Sequence, residues 1–340
     1  MAFSLSRNAK LYVSTSATVA LVTNANTWEV PILDGFNFTA NTATQEIEIS
    51  EAGETPVRGQ QVFTTAIEPV DWSLQAYMRP RFNTLNTEVD AVERILWEAL
   101  AGKPTSSITT NADGGVTGAS TRNEGSSGGL AIDFDQSNTN ILLELSLIFN
   151  LGTSTSPVWY HVSGAVVDTA EIDFSIDAIA SITWGGFGTS VTEVTDGGDL
   201  TVLDNMLTNA AGDWLDSGFP TGAVGYLPAP TGTQACIRNK LSTVSIVGKS
   251  GTDYSNTYTL ALTGGSLTVS NNITFLTPES LGVVNNPCGH FTGQRVISGE
   301  MTAYLKTGVS NDTSDLLEDI ITHSNSSAGA DPTDFELTIN

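Results

Sequence analysis

The sequence predicts a mainly β protein with a few helices, built as two tandem copies of one β-plus-helix module. Three observations predict it. The 340 residues are rich in Ser, Thr, Asn and Gly, and only 15% are charged, which is the composition of a twisted, turn-rich β protein. Short runs of branched and aromatic residues with period-two alternation recur along the chain. One block is also written twice: NTWEVPILDG at 26–35 returns as NTYTLALTGG at 256–265.

The elements follow in order. KLYVS at 10–14, TWEVPIL at 27–33 and FNFTA at 36–40 read as short strands. TQEIEIS at 44–50 alternates strictly, with Glu46 and Glu48 on one face and Ile47 and Ile49 on the other. VDWSLQAYMR at 70–79 places Trp72, Leu74, Ala76 and Met78 on one face. TEVDAVERILWEALAGKP then predicts a helix whose stripe is Val89, Val92, Leu96 and Ala99, broadened by Ile95 and Leu100. Thr87 is placed to cap its start, and Gly102 and Pro104 stop it. Residues 105–139 are loop chemistry. Strands resume at ILLELSLIFNLG (141–152) and WYHVSGAVVDTAEIDFSIDAIASITWGG (159–186), where Glu171, Asp173, Ser175 and Asp177 share a face. DGGDLTVLDNMLTNAAGDWL holds a short helix around Leu200–Leu207, and FPTGAVGYLPAPTGTQ is a connector.

After the connector the early blocks return in order. SRNAKL (6–11) is matched by IRNKL (237–241), EAG (51–53) by ESLG (279–282), and LQAYMR (74–79) by MTAYLK (301–306). DAVERIL (90–96) is matched by DLLEDII (315–321), a second acid-led helix with Leu316, Leu317, Ile320 and Ile321. The expected organisation is a first module at 1–195, a linker at 196–234 and a second, diverged module at 235–340. FELTIN at 335–340 resembles LELSLIF at 143–149, and nothing later corresponds to 159–186. The second copy is therefore expected to be short, with the sequence ending inside it or with strands supplied by a neighbouring subunit.

Charge narrows the function classes. Thirty-seven acidic residues against 13 basic ones leave a net charge of −24, which is unsuited to holding phosphates and suited to repelling DNA. Cys236 and Cys288 form no close pair, so they are one bridge or two free thiols and not a zinc ribbon. No stretch reads as a signal peptide or a membrane helix, which places synthesis in the cytoplasm. His161, His290 and His323 stand in no metal or catalytic spacing. DGGDLTVLDN has acids at loop spacing without a full calcium pattern. No catalytic residue, cofactor or metal is expected. A tandem adhesin or carbohydrate-binding module is the competing reading, with Trp159, Trp184 and Trp214 as its aromatics. An acidic-site hydrolase rests only on carboxylate pairs.

LSRNAKLYVST, TWEVPILDGFNFTANTATQEIEISE, RGQQVF, PVDWSLQAYMRP and the acidic helix together resemble the tail tube proteins of tailed bacteriophages. The resemblance spans most of 1–190 and again 235–340. It implies tandem tail-tube-like β-sandwich or barrel modules, each with a flanking amphipathic helix, modules set in rings, and stacked rings enclosing a lumen for DNA. The fused two-module type implies a trimeric ring with pseudo-sixfold symmetry. It also implies a virion location in the tail, and tape-measure, tail-end and sheath proteins as partners. Glu46, Glu48, Glu171, Asp173 and Asp177 are the candidate lumen acids, the alternative being a solvated outer face. Val89, Val92, Leu96, Leu100, Leu316, Leu317, Ile320 and Ile321 are the candidate module-packing helix residues. The loop at 105–139 is the candidate contact between stacked rings. The second module either lines the lumen or decorates the outside.

Overall fold

A computed structural model describes residues 9–22, 27–54, 57–78, 80–82, 89–91, 93–102, 109–110, 116–117, 142–152, 157–208, 239, 244–248, 256–281, 283–324 and 335–339. Among them the chain is mainly β. In the N-terminal part β1 (Lys10–Ser14), β2 (Thr27–Val30), β3 (Asn37–Thr39), β4 (Thr42–Glu51), β5 (Val57–Ile67) and β6 (Val70–Tyr77) follow one another. The pairs β7 (Pro80–Phe82) with β8 (Val89–Ala91), and β9 (Thr109–Thr110) with β10 (Val116–Thr117), lie either side of helix α1 (Arg94–Ala101). Then come β11 (Leu145–Asn150), β12 (Trp159–Asp173), β13 (Ser181–Gly188), β14 (Ser190–Glu193) and helix α2 (Gly197–Thr208). The C-terminal part holds β15 (Val244–Gly248), β16 (Thr257–Thr259), β17 (Leu262–Ser270), β18 (Thr274–Leu276), β19 (Gly289–Phe291), β20 (Val296–Ala303), helix α3 (Thr313–Ser324) and β21 (Phe335–Ile339).

The chain divides into two compact units that do not follow chain order. The first is Met1–Ala170, Ile182–Ala235 and Val269–Val296; the second is Glu171–Ser181, Cys236–Thr268 and Ile297–Asn340.

The first unit is organised by a sheet in the order β2-β1-β11-β12-β13-β6-β3. Its interior strand β11 is buried at all six positions, so the sheet is covered on both faces there. On one face Tyr12, Ile148, Trp159 and Leu203 of α2 form a cluster with Val19 and Val22. On the other, Phe149 stacks against Phe36 and packs on Phe38. The alternation in β6 holds as expected, with Val70, Trp72, Leu74 and Ala76 buried.

Helix α1 is shorter than its sequence pattern suggests. It begins at Arg94, with Glu93 ahead of it in a non-helical conformation and no side-chain cap. Val89 lies instead in β8, paired with Phe82, so it is not part of the helix stripe. A β-branched residue in a run that can pair with Pro80–Phe82 favours the strand once no strong cap fixes the helix start. Val92 and Thr87 lie outside the described residues. Ile95, Leu96, Ala99 and Leu100 are buried, and Trp97 meets Trp184 of β13 edge-on at 4.9 Å.

A polar clasp closes the C-terminal end of α1. The Asn271 side chain, 2% exposed, donates to the carbonyls of Leu100 (2.9 Å) and Val167 (3.2 Å). Arg295 Nε donates to Asn271 Oδ1 at 2.9 Å, and its terminal nitrogen donates to Ala101 O at 2.8 Å. A cation placed on the last carbonyls of a helix is stabilised by the helix dipole as well as by the bonds. Asn271→Ala is expected to cost about 2–3 kcal/mol, because it removes the amide bonds to the Leu100 and Val167 carbonyls and the Arg295 Nε bond together, leaving Leu100 O only a 3.4 Å bond from Arg295. Chemical denaturation checks this, and a loss below about 0.5 kcal/mol contradicts the clasp.

The pairings of the N-terminal part recur in the C-terminal part. β16-β15-β21 repeats the antiparallel order of β2-β1-β11. β17 pairs β20 as β3 pairs β6, and β18 pairs β19 as β4 pairs β5. Helix α3 follows β20 as α1 follows β6. No counterpart of β12 and β13 occurs among the described residues.

Candidate functional site

The acids singled out in the sequence fall on two strands and one turn. In the β4–β5 hairpin, Glu46 faces Val62 across the ladder and Glu48 faces Gln60. Glu46 is exposed. Ile47, expected to face a core, is 46% exposed, and Val62 and Phe63 are exposed as well. The alternation in β4 is real, but among the described residues β4 and β5 form a two-stranded sheet of their own, so neither face acquires a core.

On β12, Glu171 and Asp173 are exposed with Ile172 buried between them, so these two acids share a face. The strand ends there. Asp173 Oδ1 accepts a bond from the Ser175 amide (2.9 Å), and the Asn239 side chain donates to the Ser175 carbonyl (2.9 Å). The Ala178 amide then bonds back to Ser175 O, forming a turn. Asp177 sits in that turn and not in register with Glu171 and Asp173, because the aspartate side chain takes the backbone amide that a strand would need. Of the candidate helix residues, Leu96, Leu100 and Leu316 are buried, whereas Leu317, Ile320 and Ile321 are exposed at 50%, 44% and 51%. The loop at 105–139 lies outside the described residues apart from β9 and β10.

Among the described residues no group of three His, Cys, Asp or Glu side chains could hold a metal ion. The acids of DGGDLTVLDN have a local role instead. Asp196 Oδ1 accepts from the amides of Gly198 (2.8 Å) and Asp199 (3.3 Å) and so caps the start of α2. Cys288 is a free, exposed thiol, and Cys236 is outside the described residues. Two of the three aromatics of the adhesin reading are not on the surface. Trp159 is 1% exposed and Trp184 0%, while Trp214 lies outside the described residues. No described helix is long and apolar enough to cross a membrane.

His161 is structural. Ser146 Oγ donates to the Ser16 carbonyl, so His161 Nε2–H donates to Ser146 Oγ at 2.9 Å. Burial holds the imidazole pKa below its ordinary value, with Asp199 opposing that shift. The unfolded chain therefore takes up this proton before the folded one does. The His161 contribution to stability is full above about pH 6.5 and is lost as pH falls from there through the lowered folded value. His290, also lowered by burial, acts in the same sense, while Asp168, raised by burial, acts in the opposite one. His161→Gln is expected to flatten the acid side of the stability curve by up to about 1.4 kcal/mol per pH unit. Urea denaturation across a pH series measures this, and equal slopes in both proteins contradict it.

Sequence reasoning missed the Asn271–Arg295 clasp. Its signal is one arginine and one asparagine whose partners are backbone carbonyls more than a hundred residues away, and backbone acceptors leave no residue pattern.

No family model matches the chain. Over 310 residues it is 27% identical to the tail tube protein pb6 of Escherichia phage T5, a stretch covering 90% of this chain and 58% of that protein. Three solved structures show weaker likeness. The cap of the anti-feeding prophage tube is 13% identical with a TM-score of 0.33, covering 58% of this chain and 93% of that one. The sheath–tube complex of an extracellular contractile injection system is 11% identical, with a TM-score of 0.30, over 56% and 90%. The sheath/tube terminator of that system is 9% identical, with a TM-score of 0.29, over 55% and 94%.

Proposed function

We propose that this chain, a homologue of a phage tail tube protein, is a structural, non-enzymatic subunit of a phage tail. It assembles with itself into stacked rings that let DNA pass. The observation that carries the reading is the 27% identity to tail tube protein pb6 along 90% of the chain. The recurrence of the strand pairings supports two copies of one module, at 1–195 and 235–340, joined through 196–234. Two modules per chain favour three chains per ring, in which each module takes one of six equivalent places. Tape-measure, tail-end and sheath proteins are its partners in the tail.

Within that ring, Glu46, Glu48, Glu171, Asp173 and Asp177 line the bore. Ions screen charge within about 8 Å at physiological salt, so repulsion of DNA must come from carboxylates on the wall itself. The exposure of Glu46, Glu171, Asp173 and Asp177 supports the placement.

The test is negative-stain microscopy of the purified protein followed by co-sedimentation with double-stranded DNA at low salt. Rings or tubes that retain no DNA are expected. A variant with all five acids changed to their amides is expected to form the same particles and to retain DNA at least tenfold more. Solitary particles, or tight DNA binding by the unaltered protein, contradict the reading.

A further inference from the structure

The second copy of the repeat keeps a hairpin where the first has β4–β5, but a much shorter one. EAG (51–53) aligns with ESLG (279–282), which sets β18 and β19 against β4 and β5. The strands of the first hairpin hold 10 and 11 residues, and those of the second hold three each. β18 and β19 stop at Leu276 and Gly289, just inside Pro278 and Pro287, residues that donate no ladder bond. The chain between them turns onto the first hairpin instead. Asn285 forms a parallel bridge with Ala66 of β5. The Ile67 amide donates to the Asn285 carbonyl at 2.8 Å, and the Asn285 amide donates to the Thr65 carbonyl at 3.2 Å. β4 already holds the opposite edge of β5, so these two bonds close the remaining edge at the end that leads into β6. Main chain, and not a core, makes this contact. Leu281 is fully exposed, Val283 is 64% exposed and Val284 45%. Asn285 Oδ1 also accepts from the Ser280 amide at 2.8 Å, which ties the loop across itself. A contact made of surface backbone bonds with little apolar burial opens at low cost.

We propose that the Asn285 loop is an autoinhibitory latch. Closed, it withholds the edge of β5 at 65–67 from other copies of the chain, and its opening is a step in joining an assembly. A loop laid along a strand edge blocks the addition of a further strand there. Opening frees the Thr65 carbonyl and the Ile67 amide for another chain's backbone, and it frees the exposed Leu281, Val283 and Val284 to find apolar cover. The latch sets the strength of association through the fraction of chains that are open. A chain open one time in ten associates about tenfold more weakly than one held open. The second hairpin thus acts as a guard on the first, which accounts for its short strands and its long connection.

This inference rests on the self-assembly in the reading above. The test compares the protein with its latch shut and with its latch released. Ala66→Cys and Asn285→Cys stand opposite each other across the bridge, so oxidation ties them, in a background of Cys236→Ser and Cys288→Ser. Light scattering follows particle formation, and negative-stain microscopy identifies the particles. The oxidised protein is expected to melt like its background and to stay dispersed, and reductant is expected to restore association. Asn285→Pro removes the amide that bonds Thr65 and is expected to speed association about tenfold. Asn285→Gly, which loses the bond to Ser280, replaces it if the proline variant does not fold. Hydrogen exchange reads the latch without particles: the Ile67 amide is expected to exchange about tenfold faster in either variant than in the parent. Equal association of the oxidised and reduced proteins overturns the proposal and leaves the tube reading intact. A released Ile67 amide with no gain in association does the same. Particles from the released variant alone uphold both readings. No particles from any of these proteins, reduced or oxidised, contradicts the tube reading and overturns the latch with it.

Discussion

Replacing Trp184 with alanine is expected to destabilise the first unit by about 3–5 kcal/mol. Trp184 is fully buried in β13, between β12 and β6 in the sheet order, and meets Trp97 of α1 edge-on with ring centroids 4.9 Å apart. Truncation removes the transfer free energy of an indole and the edge-to-face contact together. The gap left behind cannot close easily, because a paired strand and a helix form its walls. The loss should appear as a lower denaturation midpoint and as earlier exposure of α1 in hydrogen exchange. A change below about 1 kcal/mol would show that α1 does not depend on this contact.

Gly186→Ala is expected to be at least as damaging, at about 3 kcal/mol or more, with misfolding as the extreme outcome. A Cβ at Gly186 would fall against the carbonyl oxygen of Val166 on the neighbouring strand and 2.7 Å from Trp72 Cζ2. The first obstacle is backbone within a ladder and the second is a buried indole, so neither can swing aside. Gly59→Ala, on the exposed β5, meets nothing within 4 Å and is the matched control. Its change should stay within about 0.5 kcal/mol. Comparable midpoints for the two variants would mean that β12 and β13 are not packed as described.

Much of this architecture was legible because it repeats a short period. VDWSLQAY alternates cleanly, and β6 buries the residues the alternation selects. LELSLIF and FELTIN each pair with a strand early in their own copy, as the internal repeat requires. Other elements were hidden by local competition. Val89 reads as helical by spacing, but it pairs with Phe82 because no capping side chain commits the chain to helix before Arg94. Asp177 reads as the next acid of an alternating strand, yet Asp173 takes the Ser175 amide and turns the chain first. Ile47 reads as a core residue because alternation reports which side chains share a face and not what lies against that face. The exposed stripe of Leu317, Ile320 and Ile321 could not be read from the sequence at all, since its pattern matches that of a buried helix.

The assembly is the claim on which the proposed function depends, and its symmetry is the most direct measurement of it. A cryo-electron microscopy reconstruction of particles formed by the purified protein is expected to show three chains per ring. Both modules of each chain should surround one axis, with Glu46 and Glu171 turned toward it. A ring of six chains with the second module outside, or carboxylates facing away from the axis, would contradict this account.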